Sequence, residues 1–163
     1  MTRILSLLFA GSILIMSCDL LESPPSNTTP DVTIEQGVWG SVKFLEGNFM
    51  PPQPTGTARP AERTIHVHEA IHRDQVSTIE KEEWTFYTDV PTQHVKTIHS
   101  TENGFFQAEL PPGQYSLFVE EVIENDTLLF ANHYDGDGTI HPVEVATDST
   151  QETRIRINYE AVY

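Results

Sequence analysis

The sequence predicts an all-β protein, a sandwich of seven to eight antiparallel strands, and three observations carry that prediction. Phe106, Ala108 and Leu110 alternate onto one face, and Tyr115, Leu117 and Val119 continue that face after a Pro-Pro-Gly turn. Turn residues recur at short intervals: Asn103-Gly104, Pro111-Pro112-Gly113, Asn125-Asp126 and Asp135-Gly136-Asp137-Gly138. Near the end, Ile155, Ile157 and Tyr159 alternate with Arg154, Arg156 and Asn158. Short alternating segments with turn signals between them argue a sandwich.

Residues 1–17 read as a targeting segment. Arg3 makes a short positive start, and Ile4 to Met16 is an apolar run too short to span a bilayer comfortably. Ile15-Met16-Ser17-Cys18 resembles the lipobox of bacterial lipoproteins, in which the small residue before the cysteine permits cleavage and the thiol carries a diacylglycerol. That resemblance makes Cys18 the lipid-attachment residue and the membrane a partner. Acyl chains on one residue anchor stably, because each buried CH₂ contributes about 0.8 kcal/mol. Cys18 is also the only cysteine, so no intrachain disulfide can form. Residues 18–36 are rich in Pro, Ser, Thr and Asn without amphipathic period, and read as a disordered tether. Asp19 resembles the inner-membrane retention signal of some Gram-negative bacteria. Other lineages give that residue no such meaning, and the expected location is the cell envelope, at the outer rather than the inner membrane.

The folded domain is expected over 37–163. Val38, Gly40, Val42 and Phe44 share one face of the first strand, opposite Trp39, Ser41 and Lys43. A Pro/Gly/Thr-rich loop follows, to about Glu62. Arg63 to Ile71 reads as a strand with Ile65 and Val67 inward and His66 and His68 outward. Within 72–91, Asp74 to Glu83 is compatible with a short helix and Trp84 to Tyr87 with a short strand. Val95 to His99 leads into a central hairpin made by 105–110 and 114–119. Its turn is expected to be type II, with Pro112 at the second position and Gly113 at positive φ. Leu128 to Ala131, Val143 to Ala146 and Thr153 to Tyr159 complete the strands.

These segments also carry a resemblance. Gly40-x-Val42, the Gly47-Asn48 turn running to Pro51, Ile65-x-Val67, Asn103-Gly104-x-Phe106 and Leu110-Pro111-Pro112-Gly113-x-Tyr115-x-Leu117-x-Val119 resemble the carboxypeptidase regulatory-like domains. These are small transthyretin-like, or prealbumin-like, β-sandwiches. The tail from Phe130 to Tyr163 looks like that of uncharacterised bacterial lipoproteins carrying this domain. The resemblance covers 37–163 and implies no peptidase activity, since such domains accompany catalytic domains without supplying catalytic residues.

The charge balance limits the partners. With 24 acidic and 9 basic residues the chain carries −15. Removal of Arg3 with the leader leaves 24 against 8, or −16. That argues against nucleic acid, whose phosphates call for Lys and Arg, and leaves an envelope protein or a glycan as the expected partner. His68-Glu69-Ala70-Ile71-His72 matches H-E-x-x-H, which on a helix places two imidazoles and a general base on one zinc ion. Here the two-residue period of Ile65 and Val67 runs into the motif, position 75 is Gln in place of the Gly of metzincins, and no His follows at their third-ligand spacing. Glu80, Glu82 or Glu83 could complete such a site only if a pair of helices formed. On a strand, His66, His68 and His72, with His94, His99, His133 or His141 nearby, would be a face open to adventitious Zn or Cu. Asp135-Gly136-Asp137-Gly138 offers carboxylates suited to calcium but lacks the distal Glu of an EF-hand. Trp39, Trp84 and Tyr134 are candidates for an aromatic sugar platform. No catalytic residue, cofactor or resident metal is assigned. A non-catalytic structural or interaction module is the leading expectation, with a carbohydrate-binding accessory lipoprotein and a zinc-dependent hydrolase using His68, Glu69 and His72 as alternatives.

Overall fold

The computed structural model describes residues 31–81 and 83–163. The expected leader, the expected lipid-attachment residue Cys18, residues 19–30 of the expected tether and Glu82 lie outside the described residues. Eleven strands form two packed sheets, mostly antiparallel and not closed into a barrel, and no helix occurs among the described residues.

The smaller sheet is built on β1 (Gly37–Asn48). One edge of β1 pairs with β11 (Thr150–Val162). Its other edge pairs with β7 (Phe105–Glu109) along the first half and with β2 (Thr57–Pro60) along the second. The larger sheet runs β4 (Ser77–Lys81), β5 (Trp84–Asp89), β9 (Asp126–Phe130), β8 (Gly113–Ile123), β3 (Thr64–Glu69) and β6 (His94–His99). The short β10 (Pro142–Val145) pairs with the first residues of β8.

The alternation read from β1 holds: Val38, Val42 and Phe44 are buried, and Lys43 is exposed. Gly40 is buried opposite Thr153 of β11, and an added Cβ would lie 1.8 Å from the Thr153 carbonyl oxygen. Ile155 and Ile157 of β11 face inward as expected. The two strands run parallel, however, against the antiparallel expectation. Side-chain alternation reports which face is buried and is blind to strand direction.

The central hairpin does not form. β7 belongs to the smaller sheet and β8 to the larger, so Leu110 to Pro112 carries the chain between layers. Pro111 and Pro112 have no N–H to continue a ladder, and this end of β7 is already paired with β1. Gly113 is not at positive φ; it enters β8 opposite Val145. The Tyr115 hydroxyl donates to the Pro111 carbonyl at 2.8 Å and pins the crossing. The Asn103-Gly104 turn does form, with Gly104 at φ 78°. The turn read at Asn125-Asp126 is a two-residue loop, with Glu124 at φ 52° and Asn125 at φ 79° between Ile123 and Asp126. Positive φ at both central residues suits the twist of a tight hairpin.

Two strands lie where none is expected. β2 occupies the Pro/Thr-rich segment, and β4 replaces the short helix considered at 74–83 by pairing with β5. A third difference concerns the outward face of the larger sheet. His68, Ser116 and Phe118 are buried there, because segments 70–76 and 131–141 cross that face. They bring Ile71, Ala131 and Ile140 onto Tyr87 and Phe118, a second apolar cluster behind the main core. The backbone N–H of Ile71 donates to Ser116 Oγ at 3.1 Å, which satisfies both buried groups.

Candidate functional site

The H-E-x-x-H residues are not on a helix. His68 and Glu69 end β3, and His72 forms an isolated bridge with Thr139 beyond it. His72 Nδ1 lies 2.6 Å from Asp74 Oδ1, and its Nε2 contacts the Asp137 carbonyl. The Asp74 hydrogen bond, then that carbonyl, hold its pKa above the ordinary imidazole range. His68 turns instead to the Thr92 carbonyl at 3.3 Å, and burial lowers its pKa. The geometry that would set both imidazoles and Glu69 on one zinc ion is therefore missing.

Three imidazoles do gather. His94 of β6 sits 5.2 Å from the His68 ring and 5.7 Å from the His66 ring, centroid to centroid. His66 Nε2 faces Glu120 at 3.0 Å, and His94 Nε2 faces Thr97 Oγ1 at 2.9 Å. His99 contacts Thr64, while His133 and His141 pair elsewhere, at 5.6 Å. Among the described residues no group of three His, Cys, Asp or Glu side chains is placed to hold a metal ion. In the Asp135 to Gly138 loop, Asp135 Oδ1 accepts from the backbone N–H of Asp137 at 3.0 Å and of Thr139 at 2.8 Å. These bonds hold its pKa below the usual carboxylate range and commit that oxygen to its own turn.

The aromatic candidates separate. Tyr134 bonds the Tyr87 hydroxyl at 2.5 Å, and Trp39 lies half-buried on β1. Trp84 lines a cavity. That cavity, of about 410 Å³, opens where β11 meets the β4–β5 hairpin and the β8–β9 turn. Trp84, Phe86 and Tyr159 give it aromatic walls, Val122 and Ile123 an aliphatic one, and Lys81, Glu124 and Glu160 a polar rim. Phe86 and Tyr159 rings meet at 5.4 Å, and Trp84 stands edge-on to Phe130 at 6.1 Å. Lys81 Nζ donates to Glu124 Oε2 at 2.7 Å, which raises the lysine pKa and lowers that of the carboxylate.

Tyr159 is fixed from behind. Its hydroxyl donates to Glu121 Oε2 at 2.9 Å, and the other oxygen of that buried carboxylate accepts from Arg63 Nε at 2.6 Å. Burial, then the neighbouring Glu121 charge, raises the Tyr159 pKa and keeps the phenol protonated. A wall residue held by a buried carboxylate, itself paired with a half-buried arginine, is preorganised for a ligand.

A cavity of about 630 Å³ lies at the end of the tether, lined by Thr33, Gln36, Leu110, Pro111 and the carboxylates Glu35, Glu109 and Asp148. It has no aromatic wall. Gln36 bonds the Leu110 carbonyl and Thr33 bonds Gln107, so the tether is tied down before β1 begins. Sequence reasoning reached Trp84 but not its partners, because Lys81, Phe86, Ile123 and Tyr159 come together only through sheet packing. The alternation of Tyr159 was the one available signal. Comparison of the chain with protein-family models, with curated proteins and with solved structures gave no match.

Proposed function

We propose that this chain is a membrane-anchored lipoprotein of the cell envelope, at the outer membrane, whose carboxypeptidase regulatory-like sandwich is a non-catalytic binding module for a glycan. The observation that carries the ligand class is the Trp84 cavity. Apolar sugar faces stack on aromatic walls, and hydroxyls need nearby donors and acceptors, here Lys81, Glu124 and Glu160. The anchor rests on Ile15-Met16-Ser17-Cys18 and on the tether after it.

A glycan array probed with detergent-solubilised full-length protein tests the ligand class. Wild type is expected to bind a set of neutral glycans, and Trp84→Ala to lose that set while keeping its fold. Unchanged array binding in Trp84→Ala would remove the reading. Mass spectrometry of the N-terminus tests the anchor: an acylated Cys18 is expected, and an unmodified terminus elsewhere contradicts it.

A second reading, a protein partner, is favoured by β11. This thirteen-residue strand pairs only with β1 among the described residues, and an open edge can accept an added strand. In-cell crosslinking through β11 separates it from the glycan reading.

A further inference from the structure

A different groove departs from the acidic character of the chain. It has a volume of about 360 Å³ and is lined by Asn132, His133, Arg154, Arg156, Asn158 and Tyr163. The tether-end cavity, the Trp84 cavity and a smaller one beside Asp135 and Glu144 each carry at least two carboxylates. No Asp or Glu side chain lines this one, in a protein with 24 acidic residues. Arg154 and Arg156 project from the exposed face of β11, two residues and so roughly 7 Å apart. Arg154 shares one carboxylate, Glu152, at 3.1 Å. Arg156 has no ion-pair partner among the described residues. Asn132 donates to Asn158 Oδ1, so the Asn158 oxygen is engaged within the groove's own lining.

The neighbouring strand adds a second observation. Lys43 of β1 stands directly opposite Arg156 in the β1–β11 register, and both are exposed. Like charges directly opposite one another are destabilising. Charge on an edge strand does discourage unwanted pairing, but either sign serves that purpose. It gives no reason to leave Arg156 without a carboxylate partner beside another cation in so acidic a chain. An anion bound at Arg156 would offset that repulsion.

We propose that the groove between Arg154, Arg156 and Asn158 of β11 and Asn132 and His133 is a binding site for an oxyanion-bearing ligand, a carboxylate or a phosphate. Arg156 supplies the planar two-pronged donor for two oxygens of the anion, Arg154 adds charge beside it, and Asn132, His133 and Asn158 give the groove its polar lining. The site lies across β11 from the Trp84 cavity and stands independently of the function proposed there.

Isothermal titration of the detergent-solubilised full chain, with inorganic phosphate, glucuronate and glucose as separate probes, tests the proposal. Saturable binding of phosphate or glucuronate is expected, with any glucose binding at the Trp84 cavity unaffected by Arg156→Gln. Phosphate alone assigns a phosphorylated ligand, and glucuronate alone assigns a carboxylate-bearing one. Arg156→Gln is expected to weaken the anion by roughly tenfold, the loss of one charge-assisted pair. Arg154→Gln should weaken it in the same direction, which keeps the test valid if either variant melts early. Arg73→Gln, an exposed arginine elsewhere, should leave it unchanged. Two results overturn the proposal: neither anion saturating, or Arg73→Gln costing as much as Arg156→Gln.

Discussion

At the scale of the residue, burial on the second face of β8 decides which substitutions matter. Ser116 alternates with Tyr115 and Leu117, and from the sequence it reads as a tolerant outward position. The crossing segments bury it and give its hydroxyl the Ile71 N–H. Ser116→Ala is therefore expected to cost about 1–3 kcal/mol, the penalty for an orphaned buried donor. Tyr115→Ala should cost about 3 kcal/mol or more through its lost ring. The glycines exchange importance for a related reason. Gly104 has φ 78°, and an added Cβ would lie 2.4 Å from the Val42 carbonyl oxygen. Gly104→Val is expected to cost about 2 kcal/mol or more. Gly113→Ala, in extended backbone with the Tyr115 hydroxyl at 3.1 Å from the new Cβ, should stay within about 1 kcal/mol. Urea denaturation of the four variants checks the order. A silent Ser116→Ala would mean that the second face of β8 is open.

At the scale of the element, inner faces were legible and pairings were not. Val38, Val42, Ile65, Val67, Phe106, Leu117 and Ile157 are buried as their alternation predicts. The same alternation suits a strand in either sheet and in either direction. That is why the 105–119 hairpin was expected in place of a crossing, and an antiparallel β11 in place of a parallel one. β4 escaped because Ser77-Thr78-Ile79-Glu80-Lys81 is mostly exposed and its pattern is weak. At the candidate site Trp84 was legible as an exposed-type aromatic, whereas the Arg63–Glu121–Tyr159 support joins three separate strand regions. β4 also carries a dynamic expectation. It is an edge strand whose only ladder among the described residues is to β5, while β8 is bonded on both sides. Amide hydrogen exchange should be fastest in β4 among the strands of the larger sheet and slowest in β8. Equal protection in the two would mean that β4 is covered.

At the scale of the whole molecule, pH acts through buried histidine. His141 is buried between Thr153, whose Oγ1 is 3.1 Å from Nε2, and the ring of His133. Burial, then the His133 charge, lowers its pKa to about 4 from 6.5. Burial lowers that of His68 as well. As pH falls below 6.5 the unfolded chain takes up these protons before the folded one does, so stability is full above that pH and drains away toward 4. For His141 the loss is on the order of 2–3 kcal/mol by pH 4.5. Urea denaturation at pH 7 and 4.5 should show a smaller drop for His141→Gln than for wild type. An identical drop would place that imidazole in water.

The two tryptophans make the central claim directly measurable. Trp84 lines the proposed sugar cavity, and Trp39 lies on β1, outside it. Their indole N–H signals can be followed by NMR in the full-length chain in detergent while a glycan from the array is titrated in. The account predicts a saturable shift of the Trp84 indole with the Trp39 indole unmoved. A glycan that binds and moves Trp39 alone, or moves neither, would contradict it.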